Sequence, residues 1–278
     1  MMNFGLKTGK YAPAAWAMSC LMMVFIGLSA PVQAQNSAEF SADHSPWGQL
    51  LGTYVSAHKD GVNRFDYGAV TTQDRATLDA YLEMLASKPV SKAARGQQMA
   101  FWINLYNALT VQVILDNYPV DSIRQITNGF LSFGPWKVKR ITVEGQQLSL
   151  DAIEHDILRP QFRDPRIHYA VNCASWGCPN LQQQAFTADN LELLLDQGAR
   201  AYINHERGVT ISDAGRLIVS SIYDWFKADF GHDDDQVLGH IRTYADAALL
   251  DALSGHDAID GYEYDWTLNA PDRNKGDY

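Results

Sequence analysis

The sequence predicts an α+β fold, a mostly helical single domain around a small antiparallel sheet with hairpins, and three observations carry that reading. QQMAFWINLYNALTVQVILDNYP (97–119) is apolar on nearly every side, and a helix apolar all round is buried all round. WKVKRITVEGQQLSL alternates by two around Glu144-Gly145, and VTISDAGRLIVS around Asp213-Ala214-Gly215, which predicts two hairpins. Helical and alternating segments do not follow one another in βαβ order, so a parallel sheet is not expected.

Taken in order, residues 35–44 are polar and read as a loose segment. Helical spacing begins near Trp47, with Leu50, Leu51, Tyr54 and Val55 on one side. GVNRFDYGAV (61–70) reads as a loop or short extended piece. Thr72 is placed to cap a helix carrying Leu78, Tyr81, Leu82 and Leu85, which ends before Pro89. After the long helix, TNGFLSFGPW (127–136) is an apolar loop that either folds back on the core or rims a cleft. Beyond the first hairpin, Ser149 can cap LDAIEHDILRP, which is expected to stop at Pro160. RIHYAVNC (166–173) reads as a strand, with Arg166, His168, Ala170 and Asn172 on one face and Ile167, Tyr169, Val171 and Cys173 on the other. A helix capped by Thr187 runs to about Asn204, and others are expected over Tyr223–Phe230 and from Asp234 to Ala247. YEYDWTL near the end is a possible last strand, and PDRNKGDY is a polar tail without the spacing of a calcium loop.

The N-terminus predicts export. Lys7 and Lys10 precede a nearly unbroken apolar run from Tyr11 to Leu28, followed by SAPVQAQ with Val32 and Ala34 placed for a cut after Ala34. This is the layout of a secretory signal peptide. The competing reading is an uncleaved anchor, since the run approaches the ~18 residues that span a bilayer; Pro31 and the small residues after it favour cleavage. The expected organisation is therefore a signal peptide over 1–34, a flexible segment over 35–45, one globular domain over 46–268 and a tail over 269–278. The product would be periplasmic or secreted, with no stable membrane insertion after cleavage. Loss of Lys7 and Lys10 moves the net charge from −10 to −12. That acidity argues against nucleic acid and against an anionic membrane surface. Only Cys173 and Cys178 then remain, and an isolated close pair in an exported chain reads first as a disulfide.

Several polar residues fall where burial is expected. Asn104 and Asn107 share a face of the buried helix, with Gln97 two turns back. Each alone reads as a strut for neighbouring backbone; the two together suggest a pocket. On a helical wheel Glu154 falls mid-arc between Leu150 and Leu158, so its carboxylate must be paired, hydrogen-bonded or protonated. Asp151, His155 and Arg159 form a stripe at spacing four, for which a surface ion-pair row is the plain alternative.

With those residues in view, the chain resembles the domain-of-unknown-function 547 family. The matching pieces are AFWINLYNAL (100–109), IEHDILRP (153–160), DPRIHYAVNCASWGCP (164–179) and DWFKADF (224–230), covering roughly residues 95 to 235. The resemblance implies a shared domain and no settled activity. It marks Asn104, Asn107, Glu154, His155, Arg159, Asp164, Arg166, His168, Asn172, Cys173, Cys178 and Trp225 as signature positions, without roles.

Three chemistries fit these residues. The first is a hydrolase-type thiol enzyme, acyl-transferring or peptidase-like, drawing on Cys178, His155, Glu154 and His168. On a regular strand His168 and Cys173 would lie on opposite faces, on the order of 16 Å apart, which leaves Cys178 with His155 as the pair to test. The second is metal-assisted hydrolysis by His155, His168, Glu154 and Asp164, for which the spacing gives no motif. The third is a non-catalytic module binding a small molecule or peptide. Asn104, Asn107, Arg159, Arg166, Asn172 and His168 would line its pocket, and a Cys173–Cys178 bridge would pin the loop bearing Trp176. No cofactor and no metal is expected. Both site readings require Asn104, His155 and His168 to converge on one cleft.

Overall fold

Helix α3 (Arg95–Asn117) is buried from Met99 through Val111 without a break, as its all-round apolar sequence demands. The structure, a computed structural model, describes residues 40–126 and 134–271. Around α3 pack α1 (Ser45–Tyr54), which presents Trp47, Leu50, Leu51 and Tyr54, and α2 (Thr72–Ala86), which presents Leu78, Tyr81, Leu82 and Leu85. The cap of α2 is Thr71 rather than Thr72: its side-chain oxygen accepts the N–H of Asp74. Between them lies the two-residue ladder of β1 (Val55–Ser56) with β2 (Arg64–Phe65), so part of the 61–70 segment is extended. The signal segment and the start of the 35–45 segment, most of the apolar loop (127–133) and the tail beyond 271 lie outside the described residues.

The first expected hairpin forms as β3 (Ile141–Val143) and β4 (Gln146–Leu148). Glu144 and Gly145 both take positive φ, 47° and 80°, the turn whose twist suits a two-residue hairpin. Ser149 then caps the next helix by accepting the N–H of Ala152. This helix is not uniform. It opens as α4 (Leu150–Ala152), widens to a π-helix over Ile153–Leu158, and closes as α5 (Arg159–Phe162). It passes Pro160 instead of stopping there: the wide turn ends with the Arg159 N–H on the Glu154 carbonyl, and the helix continues past a residue that has no N–H to give.

The largest departure comes next. Residues 166–173 are not a strand: Pro165–Tyr169 form a 3₁₀ helix, started by Asp164, whose carboxylate accepts the N–H of Arg166. The alternation of RIHYAVNC is real, but Pro165 at the first turn with an Asp cap nucleates the tight helix instead. The separation of His168 from Cys173 expected for a strand therefore does not apply.

A second cluster of buried residues gathers around α6 (Leu191–Ile203), α9 (Asp234–Tyr244) and a three-stranded sheet. The cap of α6 is Asn190, not Thr187, although the Thr187 hydroxyl accepts the N–H of Asn190 and so builds the entry turn. The second hairpin pairs β5 (Val209–Ile211) with β6 (Leu217–Ser220) as expected. β7 (Gly261–Glu263) joins β6 in parallel, so only the start of the expected last strand is sheet. The helical stretch after Tyr223 is split into α7 (Ile222–Trp225) and α8 (Lys227–Phe230), and α10 (Ala247–Ala252) follows α9 as a separate helix. No helix among the described residues is long and apolar enough to cross a membrane.

Candidate functional site

A cleft of about 720 Å³ opens beside the π-helix. Tyr106 of α3, Glu154 and His155 of the π-helix, His168 of the 3₁₀ helix, Cys173, Cys178 and Phe226 all border it. Opening α4 into a π-turn adds one residue to the turn, and such bulges recur at functional sites. Here the widened turn carries both Glu154 and His155 to the cleft.

Glu154 is 7% exposed. Burial raises the pKa of its carboxyl, while the charge of His155 and the Tyr106 hydroxyl pull it down less strongly. His168 is 4% exposed and stacks on Phe226, with ring centres 4.2 Å apart. Its Nε2–H donates to Asp229 Oδ2 at 2.7 Å, and its Nδ1 lies 3.8 Å from Glu154 Oε1. Burial lowers the imidazole pKa, although the bond to Asp229 raises it. Asp229, on α8, also accepts from Arg159 Nε at 2.5 Å. Burial pushes its carboxyl up, but His168 and Arg159 hold it well below the usual range. An ionised Asp229 fixes the His168 proton on Nε2 and leaves Nδ1 with a free lone pair toward Glu154.

His155 is arranged differently. The stripe with Asp151 and Arg159 exists: Arg159 Nη1 donates to His155 Nδ1 at 2.8 Å, and Nε2 lies 3.6 Å from Asp151 Oδ1. Its one basic lone pair is thereby occupied by a guanidinium. The Nδ1 lone pair of His168, by contrast, faces Glu154 and is not taken by a guanidinium.

The thiols meet on a short turn. Cys178 Sγ accepts the backbone N–H of Cys173 at 2.8 Å, and the two sulfurs are 2.6 Å apart as free thiols, not joined. Ala174 turns the chain between them with φ 59°, and Asn172 Oδ1 supports that turn by accepting the Ala174 N–H. Burial pushes the Cys178 thiol up, but bonds from the Cys173 thiol, Tyr264, the Cys173 N–H and Ser175 outweigh it and bring it down to about 7. Burial, and next the neighbouring sulfur, push Cys173 well up.

Several expected site residues lie elsewhere. Asn104 gives its Nδ2 to the carbonyl of Phe186 and accepts the Phe186 N–H. Asn107 bonds the Ala170 carbonyl and the Asn172 N–H in the same two-ended way. Asn172 donates to the Pro179 carbonyl. All three are struts: Asn107 holds the thiol segment to α3, Asn104 holds the chain at Phe186 to α3, and Asn172 braces the thiol segment internally; none borders the cleft. Arg166 is held by Asp164, Glu192 and Asp196, and Trp176 lies under Arg64, 4.4 Å from guanidinium carbon to ring centre. Arg159 acts from behind, through His155 and Asp229. The convergence required of the three residues is therefore not met: His155 and His168 share the cleft and Asn104 does not. The site as drawn from the sequence fails, and what remains is a different one, built on the two histidines, Glu154 and the thiols. Among the described residues, no group of three His, Cys, Asp or Glu side chains is placed to hold a metal ion.

Asn104→Ala is expected to cost about 2–4 kcal/mol in urea unfolding, because it strands a buried N–H and a buried carbonyl of Phe186. Alkylation of the cleft thiol in the folded variant should keep its native rate.

Residues 90–203 match the family model described as "Protein of unknown function, DUF547". The chain carries a DUF547 domain. No curated protein and no solved structure matches the chain. The DUF547 match ends at the close of α6, short of the 235 implied by the resemblance, and so excludes Asp229 and DWFKADF. Trp225, Tyr264 and Trp266 form a wall of the cleft from beyond the DUF547 segment, with ring centres 4.7–5.5 Å apart. Trp136, inside the segment, extends it, 5.6 Å from Trp266. Of these, only Trp225 was marked as a signature position, and Trp136 fell in the loop expected either to fold back on the core or to rim a cleft. Asp229, within DWFKADF, had no spacing to reveal it.

Proposed function

We propose that the cleft carries out thiol-dependent acyl transfer or hydrolysis on an ester, thioester or amide, in an exported protein. The observation behind this reading is the Cys178 thiol, lowered to about 7 at the edge of a cleft that also holds a neutral histidine anchored on a carboxylate. In this mechanism the Cys178 thiolate attacks the carbonyl carbon. Glu154, its pKa raised by burial, donates a proton to the leaving group. His168 Nδ1 takes a proton from the water that cleaves the acyl-enzyme and passes it to Glu154. Asp229 and Arg159 hold the two histidines in place.

The alternative is a small-molecule or peptide binding module without catalysis, its Cys173–Cys178 pair closed as a structural bridge. The aromatic wall of Trp136, Trp225, Tyr264 and Trp266 favours it.

Iodoacetamide labelling across pH decides between them, read by peptide mass spectrometry alongside hydrolysis of a 4-nitrophenyl ester. The labelling rate of Cys178 is expected to rise through about pH 7, with turnover lost in step with labelling. Labelling that follows an ordinary thiol near pH 9, or turnover that survives complete labelling, would sink the acyl-transfer reading. A pair that is wholly blocked in the native protein and shows no turnover would leave the binding module.

A further inference from the structure

Acyl transfer needs one sulfur, and this cleft has two in contact. Cys173 Sγ borders the cleft, touches Cys178 Sγ, and lies 3.0 Å from both the Ser175 and the Tyr264 hydroxyl oxygens. A second thiol there is a liability for a hydrolase in an oxidising compartment, because the pair closes. A purely structural bridge is also poorly served. It would join residues five apart on a turn already fastened: Trp176 N–H donates to the Thr267 carbonyl, Gly177 N–H to the Asp265 carbonyl and Cys178 N–H to the Ser175 carbonyl. Short loops give the least stabilisation on closure. What the arrangement does provide is a loosely protonated sulfur, a second one poised beside it, and access for both from one cleft.

We propose that Cys173 and Cys178 are a redox couple that exchanges disulfide bonds with a small-molecule or peptide disulfide bound in the cleft. The Cys178 thiolate attacks one substrate sulfur and forms a mixed disulfide as the substrate S–S bond breaks. The departing sulfur leaves as a thiolate and takes up a proton. Cys173 then attacks Cys178 Sγ, giving up its proton. The mixed disulfide breaks, and the second substrate sulfur leaves and takes up the proton that Cys173 released. The substrate disulfide is reduced to two thiols by two electrons, and the protein dithiol is oxidised to the Cys173–Cys178 disulfide; the reverse sequence inserts a disulfide. Trp225, 45% exposed among its aromatic neighbours, offers a surface for apolar groups flanking the substrate sulfurs. The proposal uses the thiol of the acyl-transfer reading but not its chemistry.

The test is incubation of the full reduced chain with oxidised glutathione, counting free glutathione thiols and following the protein by alkylation and mass spectrometry. Two thiols released per chain are expected, with the pair closed and reopened by reduced glutathione without unfolding. Cys173→Ser should stall as a glutathione adduct on Cys178, and Cys178→Ser should form adduct at least about tenfold more slowly, following the difference in thiolate character. Absence of released thiols from the native chain overturns the proposal even where a variant fails to fold. So does a closed pair that reopens only after denaturation. Thiol release without ester turnover would remove the acyl-transfer reading and keep this one; ester turnover without thiol release would do the reverse.

Discussion

Cys178→Ala is expected to lower kcat/KM for a 4-nitrophenyl ester by on the order of 10³-fold or more, since in the proposed acyl transfer it removes the nucleophile and not a helper. Cys173 cannot take over. Burial and its neighbour push its pKa up, so it stays protonated where Cys178 ionises. The side chain of Cys178 is buried, and deletion of one sulfur from a packed site costs about 1 kcal/mol. A melting curve for the variant separates that small loss from the large kinetic one. Turnover within tenfold of the native rate in a folded Cys178→Ala protein would remove the thiol from the mechanism.

Asp229→Asn carries the second large effect. Asp229 Oδ2 accepts from both His168 Nε2 and Arg159 Nε. A neutral amide can present its N–H to His168 Nε2 and so favour the tautomer with the proton on Nδ1, where the lone pair is needed. A fall of about 10²–10⁴-fold in kcat is expected, the range for a lost general base, with KM falling beside it because only the acyl-enzyme hydrolysis slows. Stability should drop by about 1.5–3 kcal/mol for the lost charged hydrogen bonds. The pH profile distinguishes positioning from mere support. Asp229 raises the pKa of His168 against the larger lowering effect of burial. Its removal therefore shifts the acid limb of kcat, set by deacylation where a protonated His168 is idle, to lower pH. An acid limb that stays in place would mean that His168 is not the base. Asp229→Glu should recover part of kcat.

Periodicity made most of the helical frame legible. The all-apolar segment could only be α3, and the mid-arc position of Glu154 foretold its burial. What periodicity could not see was geometry that departs from regular helix and strand. The π-turn leaves no trace in an apolar pattern, since one added residue rotates the later positions without changing their character. RIHYAVNC alternates as a strand would, yet a capped proline wound it into a 3₁₀ helix. Asn104 and Asn107 show a different limit. Residue type and burial were right, but struts and pocket walls call for the same amides, and only the location of Phe186 and Ala170 separates them. The aromatic wall is remote in sequence: Trp136 and Trp266 meet only in the folded chain.

The backbone ties between the 175–177 turn and residues 265–267 have a consequence for where the chain can be cut. The stretch recognisable by sequence ends at residue 203, yet the carbonyls of Asp265 and Thr267 clamp the turn that sets the two sulfurs. A β-carbon on Gly177 would come within 2.8 Å of the Asp265 nitrogen, so the clamp leaves no slack. An excised 90–203 fragment would keep both cysteines and lose the register between them. The unit that sets the two sulfurs in this chain is thus larger than its recognisable signature, and swapping the signature alone into another chain would transplant the sulfurs without the clamp that holds them.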